Sequence, residues 1–128
     1  MMNLENYFTE TKGTGIIASA NREGEVNTAI FSRPHIAADG TMVFIMGDNR
    51  THANLQANPH ASFLFMEAAP GYRGSRFYLT KIAEEENDEL VRELCRRCKE
   101  VNNPDSMRKR YVVYFYINKQ LPLIGTEE

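Results

Sequence analysis

The sequence predicts a mainly β chain with some α, a small antiparallel barrel of about six strands with a few flanking helices. Three observations lead there. Short runs rich in β-branched and aromatic residues recur along the 128 residues, and turn signals separate them: Gly24 in Arg22-Glu23-Gly24-Glu25, Asp39-Gly40, and Pro70 with Gly71 and Gly74. Helical signals are confined to three stretches. No linker, repeat or low-complexity segment divides the chain, so residues 1–128 read as a single domain.

Taken in order, residues 3–12 predict a short helix with Leu4, Tyr7 and Phe8 on one side, covering an opening in a sheet. Residues 14–21 and 26–37 predict a hairpin whose second strand is irregular after Pro34, which has no N–H to give a ladder. Residues 41–47 resume as a buried strand after the Asp39-Gly40 turn. Residues 60–68 and 75–82 predict two more strands, and Asn87 is placed to cap a helix over 88–101. Residues 108–118 form a last strand, rich in tyrosine and phenylalanine. The apolar residues 121–124 that follow would sit poorly in water and call for a covering surface.

The stretch 46–59, Met-Gly-Asp-Asn-Arg-Thr-His-Ala-Asn-Leu-Gln-Ala-Asn-Pro, interrupts this β pattern. Asn49 or Thr51 can cap a short helix, and Pro59 stops it at Asn58. A helix start has free N–H groups that favour an anion, and Arg50 adds a planar fork of donors while Thr51 adds a hydroxyl. Ordinary capping explains the same residues without any ligand.

Composition narrows the partners. A net charge of -2 with no basic run argues against nucleic acid, and no apolar run is long enough to span a bilayer. The first residues lack the basic and apolar parts of a signal peptide, so the expectation is a cytoplasmic protein with a small ligand. Cys95 and Cys98 form a CxxC pair, too few ligands for a zinc site and far in sequence from His35, His52 and His60. Leu90, Val91, Leu94, Cys95, Cys98 and Val101 share one helical stripe, which makes both cysteines packing residues rather than redox groups.

Read together, residues 27–34, 39–65 and 71–82 resemble the FMN-binding split-barrel family, the pyridoxamine 5′-phosphate oxidase-like group, and its short bacterial FMN-binding and flavin reductase-like members above all. The likeness runs from Gly15 to about Leu123 and is most specific over residues 41–65. It implies a Greek-key split barrel, FMN as cofactor, and a homodimer with FMN at the interface, which would cover residues 121–124. It also implies that Arg50 and Thr51, with Asn49 before them, hold the FMN phosphate. Asn27, Thr28, Ala29 and Ile30 on one strand, with Ile45 and Met46 on another, would hold the isoalloxazine edge.

The family often has two basic residues in succession where this chain has Arg50-Thr51, and His52 is the neighbour placed to compensate. Arg33, His35, Tyr72 and Arg73 are further candidates for contact with a substrate. The resemblance implies a flavin-dependent oxidoreductase passing electrons between a reduced nicotinamide or other donor and an acceptor, or else an electron carrier or flavin store. A deazaflavin or haem in place of FMN is the third alternative.

Overall fold

The computed structural model describes residues 3–94 and 109–125. At its N-terminus the Asn3 side chain accepts from the Asn6 amide at 3.0 Å and starts α1 (Leu4–Glu10). The chain then forms β1 (Gly13–Ala20) and turns where the Asn21 side chain accepts from the Glu23 and Glu25 amides. It returns as β2 (Val26–Phe31). The strand expected over 26–37 stops there, passes through Pro34, which has no N–H to give a ladder, and resumes as the two-residue β3 (His35–Ile36). This break adds a seventh strand to the six the sequence predicts.

Gly40, at φ 89°, turns the chain into β4 (Met42–Gly47). The helix α2 (Arg50–Ala57) leads to β5 (His60–Glu67) and β6 (Gly74–Glu85), which runs three residues past its expected end. Asn87 caps α3 (Asp88–Leu94) by accepting from the Leu90 amide at 3.0 Å. The strand β7 (Arg110–Pro122) closes the fold. Cys95 and Cys98 lie outside the described residues, so the packing expected of them is not described. Among the described residues no helix is long and apolar enough to cross a membrane.

The strands form one antiparallel sheet in the order β2-β1-β5-β6-β7-β4-β3. This order sets β2 and the β3–β4 hairpin at opposite ends of the ladder. The sheet curls so that Phe31 of β2 meets Phe44 of β4 edge-on, with ring centroids 6.0 Å apart. Its ends therefore touch through side chains, while β2 pairs with β1 alone among the described strands. The outcome is the split barrel expected from the sequence.

Inside the curl, Ile17, Phe44, Met46, Phe63, Phe65, Phe77, Val113 and Phe115 make one core. Gly15 leaves room for it, since a Cβ there would come within 2.7 Å of the Phe63 ring. Phe8 of α1 plugs one end, fully buried against Phe63, Phe65 and Phe77. Arg33 holds that plug in place by donating to the Phe8 and Thr11 carbonyls, each at 2.9 Å. On the outer side, α3 covers Val43 and Val112 with Val91.

Residues 121–124 correct one expectation. Leu121 is buried in the chain's own fold, paired across from Arg76, whose Nε donates to the Pro122 carbonyl at 2.9 Å and whose guanidinium also reaches the Gly125 carbonyl. Half of the segment is thus a continuation of β7, and Ile124 alone is largely exposed. For Leu121 and Pro122 the ladder supplies the covering surface that the sequence assigned to a partner.

Phe8 tests the plug. Phe8→Ala empties a fully buried ring site and is expected to cost about 3–5 kcal/mol of stability by urea denaturation. A loss below about 1 kcal/mol would show that α1 is not part of the cooperative core.

Candidate functional site

The site begins where β4 leaves the sheet. Asn49 has extended backbone, its side chain accepts from the His52 amide at 2.9 Å, and its carbonyl accepts from Ala53 at 3.0 Å, so α2 starts at Arg50. The cap takes the third amide of the helix and leaves those of Arg50 and Thr51 with no acceptor inside it. Pro59 follows the C-cap Asn58, as expected from the sequence.

Arg50 is exposed and meets no carboxylate among the described residues. Thr51 is buried, and its Oγ1 is the single buried side-chain polar atom without a partner among the described residues. A buried hydroxyl left unpaired costs roughly 1–3 kcal/mol. An anion seated on the two free amides is the kind of acceptor that offsets such a cost.

Helix geometry fixes which way Arg50 faces. Residues four apart share a side, so Arg50 lies on the flank of Asn54, whose Nδ2 donates to Ser19 Oγ of β1 at 3.1 Å. Ser19 pairs across the ladder with Asn27 of β2. Arg50 is thereby turned toward the β1–β2 hairpin, and α2 packs against both of its strands.

The predicted site residues divide accordingly. Asn49, Arg50 and Thr51 come together at the helix start. Asn27 and Ala29 lie half-buried on the inner face of β2, while Thr28 and Ile30 face outward, with Ile30 73% exposed. Met46 is buried in the barrel core and Ile45 packs beneath α3, so these two can offer a ligand backbone groups rather than side chains. Both stretches lie along the split: β3 covers β4 only at Met42 and Val43, which leaves Ile45 and Met46 on an edge without a ladder partner there.

His52 does not turn toward this start as the sequence reading allowed. Its ring stacks on Tyr111 with centroids 3.8 Å apart and planes 11° apart, and Nε2 lies 3.1 Å from both carboxylate oxygens of Glu84. Lys81 Nζ and Gln56 Nε2 donate to Glu84 Oε1 at 2.6 and 2.9 Å. Burial pushes the Glu84 carboxyl up, but hydrogen bonds from Lys81, Gln56 and His52, with the charge of His52, bring it down to about 2.

Sequence reasoning missed Glu84, Gln56 and Tyr111, since an acidic run before a helix cap reads as solvated. Arg33 and His35 are engaged elsewhere. Arg33 clamps α1, and His35 Nε2 is 2.7 Å from the Leu94 carbonyl while Nδ1 faces Glu5 at 3.7 Å. Tyr72 and Arg73 are exposed in the β5–β6 turn.

The sequence profile of the pyridoxamine 5′-phosphate oxidase family matches residues 5–118. The chain belongs to that family, the FMN-binding split barrels. No curated protein matches it significantly.

Several solved structures of related shape accompany the match. An FMN-binding protein from Syntrophomonas wolfei superposes with TM-score 0.75 at 21% identity, over 97% of this chain and 86% of that one. A putative pyridoxamine 5′-phosphate oxidase from Listeria innocua gives 0.68 at 16%, over 96% and 100%. An F420 reductase gives 0.72 at 13%, over 94% and 98%. At these identities they show that this family member shares their fold.

The Glu84 cluster carries a pH signature. A carboxyl held below its ordinary value of 4.5 contributes stability that is in force above that value and is lost as pH falls through about 2. The urea midpoint of the wild type is expected to fall more steeply between pH 4.5 and 2 than that of Glu84→Gln. Parallel curves would contradict the assignment.

Proposed function

We propose that residues 1–128 form one cytoplasmic FMN-binding unit, with the cofactor phosphate on the first turn of α2. The observation that carries this reading is the buried, unpartnered hydroxyl of Thr51 beside an exposed Arg50 at a helix start with two free amides. Each group is a donor lacking an acceptor, and a phosphate dianion is an acceptor on every side. One arginine with one hydroxyl gives weaker Coulombic attraction than two cations would.

The flavin ring then lies toward the split, where backbone groups of Asn27 to Ile30 and of Ile45 and Met46 are available to its polar edge. Bound FMN would supply the redox chemistry of a flavin-dependent oxidoreductase, and the chain supplies orientation and access. Family membership supports FMN, and a set of donors for phosphate favours a phosphorylated flavin over haem.

A homodimer completes the reading. The outer face of β4 and β7 is covered by α3, whereas among the described residues no helix covers the outward face of β2, β1 and β5. There Ile30 lies across from Ile16, and Ile16 from Leu64, with Met66 and Tyr78 exposed nearby. A row of this kind supports burial against a second copy, and Ile30 belongs both to this face and to the flavin strand.

One observation favours a second reading, an FMN-dependent electron carrier without a small-molecule substrate. Arg33 and His35, the candidate substrate contacts near the split, are both spent on holding helices. Steady oxidation of a reduced nicotinamide by the FMN-loaded protein separates the enzyme from the carrier.

The phosphate assignment is tested by Arg50→Ala. Loss of charge-assisted bonds worth about 1.5–3 kcal/mol should weaken FMN roughly ten- to a hundredfold in a fluorescence titration, while riboflavin, which has no phosphate, should hardly change. Equal losses for both flavins would sink the assignment.

A further inference from the structure

Glu84 sits on the opposite flank of α2 from the β1–β2 hairpin, and its placement depends on a bulge. In a regular strand, residues 81 and 84 point to opposite faces. The β6–β7 register shifts between Lys81 and Ala83, Ile82 is expelled outward at 55% exposure, and Lys81 and Glu84 then share the inner face, paired across from Phe115 and Val113. Both side chains are thereby aimed beneath α2.

Two latches hold that helix. Positions 52 and 54 are separated by about 200° around an α-helix, so they lie on nearly opposite flanks. On one flank Asn54 bonds Ser19 of β1, and on the other His52 and Gln56 bond Glu84 of β6. The His52 ring is fixed by the Tyr111 stack, and its amide by the Asn49 cap. With both latches closed α2 cannot roll, and rolling is the motion that would swing Arg50 and Thr51 off a bound anion.

We propose that Glu84, acting through His52, is a positioning residue that gives the site its preference for phosphorylated flavin over riboflavin. This rests on the assignment of Arg50 and Thr51 to the phosphate. The charge alone predicts the reverse, because removing a carboxylate near an anion site and freeing Lys81 and His52 strengthens anion binding. A merely structural latch predicts equal losses for both flavins. Positioning alone predicts a loss confined to the phosphate.

The experiment measures dissociation constants of FMN and riboflavin for the full-length wild type, Glu84→Gln, Arg50→Ala and the double variant. Glu84→Gln is expected to weaken FMN roughly three- to tenfold, the net worth of a hydrogen bond or two, and riboflavin by less than about twofold. In the Arg50→Ala background the same change should have little further effect on FMN, because the group being positioned is gone. Gln56→Ala, which removes one bond to Glu84 from an exposed helix position, should shift FMN in the same direction by less, and it stands in for Glu84→Gln if that variant does not fold.

Unchanged or tighter FMN binding by Glu84→Gln would overturn the proposal, as would equal losses for both flavins or full additivity with Arg50→Ala. If Arg50→Ala fails to separate FMN from riboflavin, the phosphate assignment falls and this proposal with it. A normal Arg50→Ala result with a flat Glu84→Gln sinks the positioning role alone.

Discussion

The sheet's shape depends on a break in strand pairing at residues 32–34, where Pro34 has no N–H to give a ladder. The strand that leaves the first hairpin stops at Phe31, and when the chain pairs again at His35 it does so at the far end of the sheet. The ends must then meet without a ladder. They do so through Phe31 and Phe44, which leaves β2 and the second half of β4 with backbone groups that no other described strand takes up. The opening proposed to take the cofactor is thus a consequence of a break in pairing, with no separate cavity-forming element required.

The helix that borders this opening is short and weakly amphipathic, and most of its attachments are polar. Thr51, His52, Asn54 and Leu55 are its buried residues, and only the last is a hydrocarbon. Apolar packing tolerates sliding, whereas hydrogen bonds to Ser19 and Glu84 are directional and fix rotation. The cost is a partly buried carboxylate, offset by Lys81, Gln56 and His52. A site that reads a phosphate by a few donors benefits more from fixed orientation than from extra apolar contact.

What the sequence made legible was local. The Asn49 and Asn87 caps, the stop at Pro59 and the turn at Asp39-Gly40 each depend on a few neighbouring residues, and each stands where it was expected, while the irregularity expected after Pro34 is a full break into two strands. The grouping of Asn49, Arg50 and Thr51 at a helix start followed from the same signals. The pairing of Glu84 with His52 did not, because it joins residues 32 apart through a bulge, and an Ile82 that faces water carries no mark of one. Leu121 was misread for a related reason: its cover is Arg76 and its strand, 45 residues away, which no local pattern reveals.

The plug at the barrel's end bears on how the chain comes to be made. Seven residues are too few for a stable isolated helix, and α1 depends on Arg33 for its last carbonyls and on Phe63, Phe65 and Phe77 to bury Phe8. A ribosome releases α1 well before Phe77 of β6. α1 therefore waits for strands made after it, and until β6 emerges Phe8 stays unplaced in the nascent chain, available to chaperones.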